Sequence, residues 1–125
     1  SPKIVFFDID DTLYRKDTDT LRPSVKIAVE ALRGKGILTA LATGRSLATI
    51  PDKVKHMAGE TGMDALVTIN GQFALLNGKV VREIPMDVGQ IGRACSFLDG
   101  LGMDYAFVGG GGIAVSSLSG GYAVR

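Results

Sequence analysis

The chain has 125 residues, 46% hydrophobic and 22% charged, with 14 Lys+Arg against 13 Asp+Glu; this balance fits one globular domain and excludes a disordered segment. A net charge of +1 supplies no field to hold nucleic acid, and the longest apolar runs fall far short of the ~18 residues of a membrane span. A single cysteine, Cys95, excludes an internal disulfide or a cysteine-based zinc cluster, and without the pattern of a signal peptide the expected compartment is the cytoplasm.

The chain opens with Ile4-Val5-Phe6-Phe7, an unbroken β-favouring run that stops at Asp8-Ile9-Asp10-Asp11-Thr12. Such runs suit a strand covered on both faces, as in parallel sheets. Polar residues to Arg22 read as a loop. Pro23 suits a first helical turn, and Val25, Ala28, Val29 and Leu32 recur at helical spacing until Gly34 and Gly36 end the helix. Ile37–Ala42 is a second buried-strand candidate, ending in Thr43-Gly44-Arg45-Ser46. A strand, helix and strand in this order form a parallel crossover unit.

A second helix restarts at Pro51, with Ile50, Val54, Met57 and Ala58 on its apolar side and Gly59 and Gly62 read as closing it. Ala65–Ile69 reads as a third core strand ending at Asn70-Gly71. Phe73–Leu76 and Lys79–Glu83 flank Asn77-Gly78, a strong hairpin signal. Asp87 is the expected N-cap of a helix with Val88, Ile91, Cys95 and Leu98 inward. Asp104–Val108 is a further strand candidate. Ten of the 17 glycines follow residue 88, including the run Gly109–Gly112, read as a turn or linker, and the Ser/Gly-rich end from Ser116 to Gly121.

In an open α/β sheet, ligands bind at the carboxyl ends of the strands, and two such ends here carry unusual polar groups. Asp8 and Asp10 are two apart, and on extended chain both side chains leave one face. Two convergent carboxylates favour either a divalent cation between them or one carboxyl kept protonated, and magnesium takes oxygen ligands of this kind. Thr43-Gly44, leading into the second helix, offers a hydroxyl and backbone N–H groups to an anion. Taken singly, an Asp-x-Asp pair is commonly a turn former and Thr-Gly-Arg commonly an ordinary loop. Their conjunction, each at the end of a buried run with Thr43 placed 35 residues after Asp8, describes phosphoryl transfer. His56, between lysines, reads as a solvated-face residue and Cys95 as a small apolar one.

These segments resemble a known family. Ile4–Leu13 (IVFFDIDDTL) is similar to the first signature of haloacid dehalogenase-like hydrolases. Leu41–Ser46 (LATGRS) resembles their second signature, in the form used with a class II cap of subtype B, the Cof-type sugar-phosphate phosphatases. Val67–Gly71 followed by a hairpin is similar to the segment that precedes that cap, so the likeness runs over about residues 3–85.

The resemblance implies a Rossmann-like, mostly parallel α/β sheet in residues 1–84, with the hairpin leading into a partial α/β cap in 85–125. It implies Asp8 as the nucleophile that takes the phosphoryl group, Asp10 as general acid and base, and Mg²⁺ held by the Asp8 carboxylate and the Asp10 backbone carbonyl. Thr43 and Gly44 match the phosphate-binding positions, Asn70 and Arg45 are candidate substrate contacts, and Asp11 reads as an exposed turn residue. The implied partner is a small phosphorylated metabolite, with neither nucleic acid nor membrane.

The family's third signature supplies a lysine and its fourth an acidic pair, both after the cap. The seven lysines here end at Lys79 and no Asp follows Asp104, so the expectation is a truncated core. An alternative is a degenerate member that binds metal and phosphate without useful catalysis. A phospho-acceptor receiver domain is disfavoured, because the third core strand ends in Asn70. A sheet lacking later strands exposes an edge, so self-association is expected.

Overall fold

The structure, a computed structural model, describes residues 2–109 and 112–117. The first apolar run forms β1 (Ile4–Phe7), and the polar stretch after it folds into a short hairpin of β2 (Tyr14–Arg15) and β3 (Thr20–Leu21). Helix α1 (Pro23–Gly34) starts with Pro23 in its first turn, and the chain leaves it through Gly36 at φ 76°. Then come β4 (Leu38–Ala42), a 3₁₀ turn at Leu47–Thr49, and α2 (Asp52–Thr61), closed by Gly62 in the left-handed conformation at φ 68°. Strand β5 (Ala65–Thr68) passes through a tight turn at Ile69–Gly71 into the hairpin of β6 (Phe73–Leu76) and β7 (Lys79–Glu83). Asp87 caps α3 (Val88–Gly100) by accepting a hydrogen bond from the Gln90 N–H at 3.0 Å. A hairpin of β8 (Ala106–Gly109) and β9 (Gly112–Val115) follows.

One five-stranded sheet has the order β1-β4-β5-β6-β7, with β1, β4 and β5 parallel and β6 and β7 antiparallel. This is the α/β architecture the sequence predicts. The parallel register pairs Phe7 with Leu41 and Ala42 with Val67, so the carboxyl ends of three strands lie side by side. Directly beneath them sits the core of Ile9, Tyr14, Leu41, Ile50 and Val54, packed by Phe7, Leu13, Leu47 and Met63 among others. Ile9 is fully buried between Asp8 and Asp10. Burying an isoleucine is worth about 1.5–3 kcal/mol, so the acidic loop is anchored by its own apolar residue.

Four local expectations are corrected. The stretch after Asp11 holds the β2–β3 hairpin, whose strands are too short and polar to show alternation. The third core strand stops at Thr68, because Ile69 turns out of the sheet at φ 50°. Val88 is 83% exposed and not inward, whereas Ile91, Cys95 and Leu98 are half-buried. Beyond Gly112 the chain continues as strand β9. Within the glycine run, Gly110 and Gly111 lie outside the described residues, as does the Ser/Gly-rich end from residue 118.

Candidate active site

The two signatures meet because β1 and β4 are neighbours. After Phe7 the chain runs through Asp8 and Ile9 into a tight loop in which the Ile9 carbonyl accepts from the N–H groups of Thr12, Leu13 and Tyr14 at 3.2, 3.0 and 3.0 Å. Asp11, exposed as expected, takes φ 60°, which aspartate tolerates better than most residues. Its N–H donates to the Tyr14 carbonyl at 2.8 Å and returns the chain to the β2–β3 hairpin. That hairpin is tied to α2. The Tyr14 hydroxyl donates to Asp19 Oδ1 at 2.6 Å, and Lys53 Nζ lies 3.0 Å from Asp19 Oδ2.

At the end of β4, Thr43 is buried, and its N–H donates to the Val67 carbonyl at 2.9 Å. Its hydroxyl accepts the Arg45 N–H at 3.1 Å, a side-chain bond that shapes the turn. Next to it, the Asn70 N–H donates to the Thr43 carbonyl at 3.2 Å and the Ile69 N–H to the Arg45 carbonyl at 3.0 Å. These bonds hold Ile69 and Asn70 in consecutive left-handed conformations, φ 50° and 52°, a costly state for a β-branched residue. The strain brings the Asn70 carboxamide over Gly44: a Cβ there would lie 2.9 Å from Asn70 Oδ1. Only glycine leaves room for this approach.

Asp10 and Arg45 form the site's strongest contact. Arg45 Nε donates to Asp10 Oδ2 at 2.8 Å and Arg45 Nη2 to Asp10 Oδ1 at 2.7 Å, a two-point fork. The remaining arm, Nη1, donates to the Thr49 carbonyl at 2.6 Å. The guanidinium holds the Asp10 carboxyl below the usual carboxylate range, and Asp10 in turn raises Arg45. Asp8, by contrast, is exposed, and no hydrogen bond or ion pair engages its carboxylate among the described residues.

The structure therefore brings Asp8, Asp10, Thr43, Gly44, Arg45 and Asn70 to one edge of the sheet. It directs Arg45 to Asp10 and to the Thr49 carbonyl, a partnership not read from the sequence. The Tyr14–Asp19–Lys53 tie was also not anticipated, since three scattered polar residues carry no spacing signal. Hard oxygen donors suited to a divalent cation are present in the Asp8 carboxylate and the Asp10 main-chain carbonyl, while the Asp10 side chain is already paired. Among the described residues no group of three or more His, Cys, Asp or Glu side chains gathers to hold a metal, and no helix is long and apolar enough to cross a membrane. A mostly apolar cleft of about 920 Å³ is lined by Ile69, Phe73, Ile84, Ile91, Phe107 and Ile113 among others.

Comparison with known proteins points the same way. The family described as haloacid dehalogenase-like hydrolase matches residues 5–121. A candidate bifunctional phosphatase/peptidyl-prolyl cis-trans isomerase of Streptococcus pyogenes is 32% identical over 108 residues, 86% of this chain and 22% of that protein. The candidate phosphatase YkrA of Bacillus subtilis is 33% identical over 91 residues, 73% of this chain and 34% of that protein. Among solved structures, the subclass IIB sugar phosphatase BT4131 superposes with a TM-score of 0.76 at 28% identity, over 90% of this chain and 43% of that one. The chain thus spans about a third or less of these two curated relatives, and under half of this structural neighbour.

Proposed function

The chain belongs to the haloacid dehalogenase-like hydrolases, and from that premise we propose that it carries the nucleophile and phosphate-binding half of a phosphomonoesterase acting on small phosphorylated metabolites. The carrying observation is the arrangement at the strand ends: an exposed, uncommitted Asp8 carboxylate beside the Thr43–Gly44 turn. In this reading an Asp8 oxygen attacks phosphorus to give an aspartyl-phosphate. Asp10 gives a proton to the leaving oxygen and then takes one from the attacking water. The Thr43 hydroxyl and the Gly44 N–H bind phosphoryl oxygens, and Asn70, poised over Gly44, contacts the substrate.

A Mg²⁺ ion would be held by the Asp8 carboxylate and the Asp10 carbonyl and would offset charge on the transferring group. The sugar phosphatase neighbour supports sugar phosphates as the substrate class. We further propose that residues 1–84 are the core and 85–125 part of a cap, that the reaction is cytoplasmic, and that neither nucleic acid nor membrane takes part.

The test is hydrolysis of p-nitrophenyl phosphate with and without Mg²⁺, by the protein and by Asp8→Asn. Mg²⁺-dependent turnover that Asp8→Asn abolishes is the expected result; turnover indifferent to the substitution removes Asp8 as nucleophile. A second reading, a module that binds phosphate and metal without turnover, is favoured by the Asp10 carboxylate being fully engaged by Arg45. Calorimetric binding of Mg²⁺ and phosphate without hydrolysis by the 125-residue chain would select it.

A further inference from the structure

We infer that Arg45 is the positioning residue for Asp10, fixing the carboxyl that serves the leaving group in the frame of the phosphate-binding turn. The inference rests on the phosphatase reading above and assigns a role to a residue the substrate need not touch.

Three features of the geometry carry it. First, the fork takes both Asp10 oxygens, at 2.8 and 2.7 Å, so it fixes the plane of the carboxyl as well as its place. A lysine ammonium, a point charge on a flexible stem, cannot do this. Second, Arg45 is itself immobilised. Its third arm donates to the Thr49 carbonyl at 2.6 Å, its N–H to the Thr43 hydroxyl at 3.1 Å, and its carbonyl accepts the Ile69 N–H at 3.0 Å. Third, one of those anchors is the Thr43 hydroxyl itself, in the turn that offers Thr43 and Gly44 to phosphate, while the other two lie in the turns at Leu47–Thr49 and Ile69–Gly71. Asp10 and Arg45 are 35 residues apart in sequence, yet the pair locks the acid to the phosphate site as one rigid unit. Small misplacements of such a group are costly to rate.

In the transfer step, a bond forms between an Asp8 oxygen and phosphorus. The bond from phosphorus to the leaving oxygen breaks, and its electron pair stays on that oxygen. The leaving oxygen takes the proton of the Asp10 carboxyl, which becomes the carboxylate that both arms of Arg45 grip. While Asp10 carries the proton, one arm of the fork gives way to it and the other keeps the orientation.

A purely structural arginine and a positioning arginine differ in how their loss depends on the leaving group. An alkoxide needs a proton as it departs, whereas p-nitrophenolate leaves without one. We compare kcat/KM, which reports only steps up to phosphoryl transfer, for a sugar phosphate and for p-nitrophenyl phosphate. The enzymes are the full-length protein, Arg45→Ala and Arg45→Lys. The expected result is a loss on the sugar phosphate about tenfold or more beyond any loss on p-nitrophenyl phosphate, in both variants, since general acid catalysis contributes ~10²–10⁴-fold. Activity on p-nitrophenyl phosphate also shows that each variant folds.

Equal losses on both substrates, no loss on either, or full rescue by Arg45→Lys would each overturn the inference while leaving the phosphatase reading intact. A wild-type protein that hydrolyses neither substrate would remove that reading, and this inference with it.

Discussion

Thr39, in the middle of β4, is fully buried, and its hydroxyl finds no hydrogen-bond partner among the described residues. A buried, unpaired hydroxyl costs free energy, and a methyl group of the same shape does not. Thr39→Val is therefore expected to stabilise the chain by about 1 kcal/mol, read as a higher midpoint in urea; a lower midpoint would show that the hydroxyl has a partner. At this scale much of the site was legible. Asp8, Asp10, Thr43 and Gly44 follow apolar runs that become the neighbouring strands β1 and β4, so their placement at one edge could be read from the sequence. The partner of Arg45 did not announce itself. An arginine after Thr-Gly offers five donors to any acceptor within reach, and only the register of β1 against β4 decides that Asp10 is the one.

Between elements, Asp64 is the principal fastener. Its Oδ2 accepts the Thr39 N–H at 2.8 Å and the Arg33 guanidinium, while its own N–H donates to the Thr39 carbonyl at 2.8 Å. One residue thus ties α1 and β4 to the start of β5. The Thr39 N–H, with help from Arg33, holds the Asp64 carboxyl below its ordinary value of 3.8. A carboxyl lowered on folding adds stability above its unfolded value, and that stability is lost as pH falls through 3.8 toward the folded one. Asp64→Asn is expected to cost about 2 kcal/mol at neutral pH, with the gap to wild type closing below pH 3.8. Chemical denaturation at the two pH values checks this, and a gap independent of pH would remove the charge from the explanation.

Element by element, sequence and structure agree where the local signal is self-sufficient. Asn77 and Gly78, at φ 50° and 79°, make the tight turn that their side chains favour. They disagree where distant groups decide. Ile69 has strand propensity, but hydrogen bonding to Arg45 pulls it into the left-handed region. Val88 lies at helical spacing with Ile91 and Cys95, yet spacing does not say which residues a neighbouring element covers.

For the whole molecule, exposed apolar surface is the governing fact. Among the described residues β1 pairs only with β4, and Phe6 on β1 is 54% exposed, with Leu38 and Ile27 at 45% and 65%. Val80, Val81, Ile84 and Met86 are similarly open on the other side. An unpaired strand flanked by apolar side chains favours pairing with another chain. The 125-residue chain by itself is expected to self-associate, with sedimentation velocity showing species above monomer that raised salt does not dissolve. A stable monodisperse monomer would sink this expectation.

The in-register parallel strands also set the order in which the site comes into being. Phe7 meets Leu41 and Ala42 meets Val67, so each crossover closes one loop of moderate length, and the entropy of closure grows only slowly with that length. The Asp10–Arg45 fork is complete once the first crossover has closed. Asn70 arrives with the second. During synthesis from the amino end, the contacts of this strand-end edge are laid down in sequence order, each waiting only for residues already made.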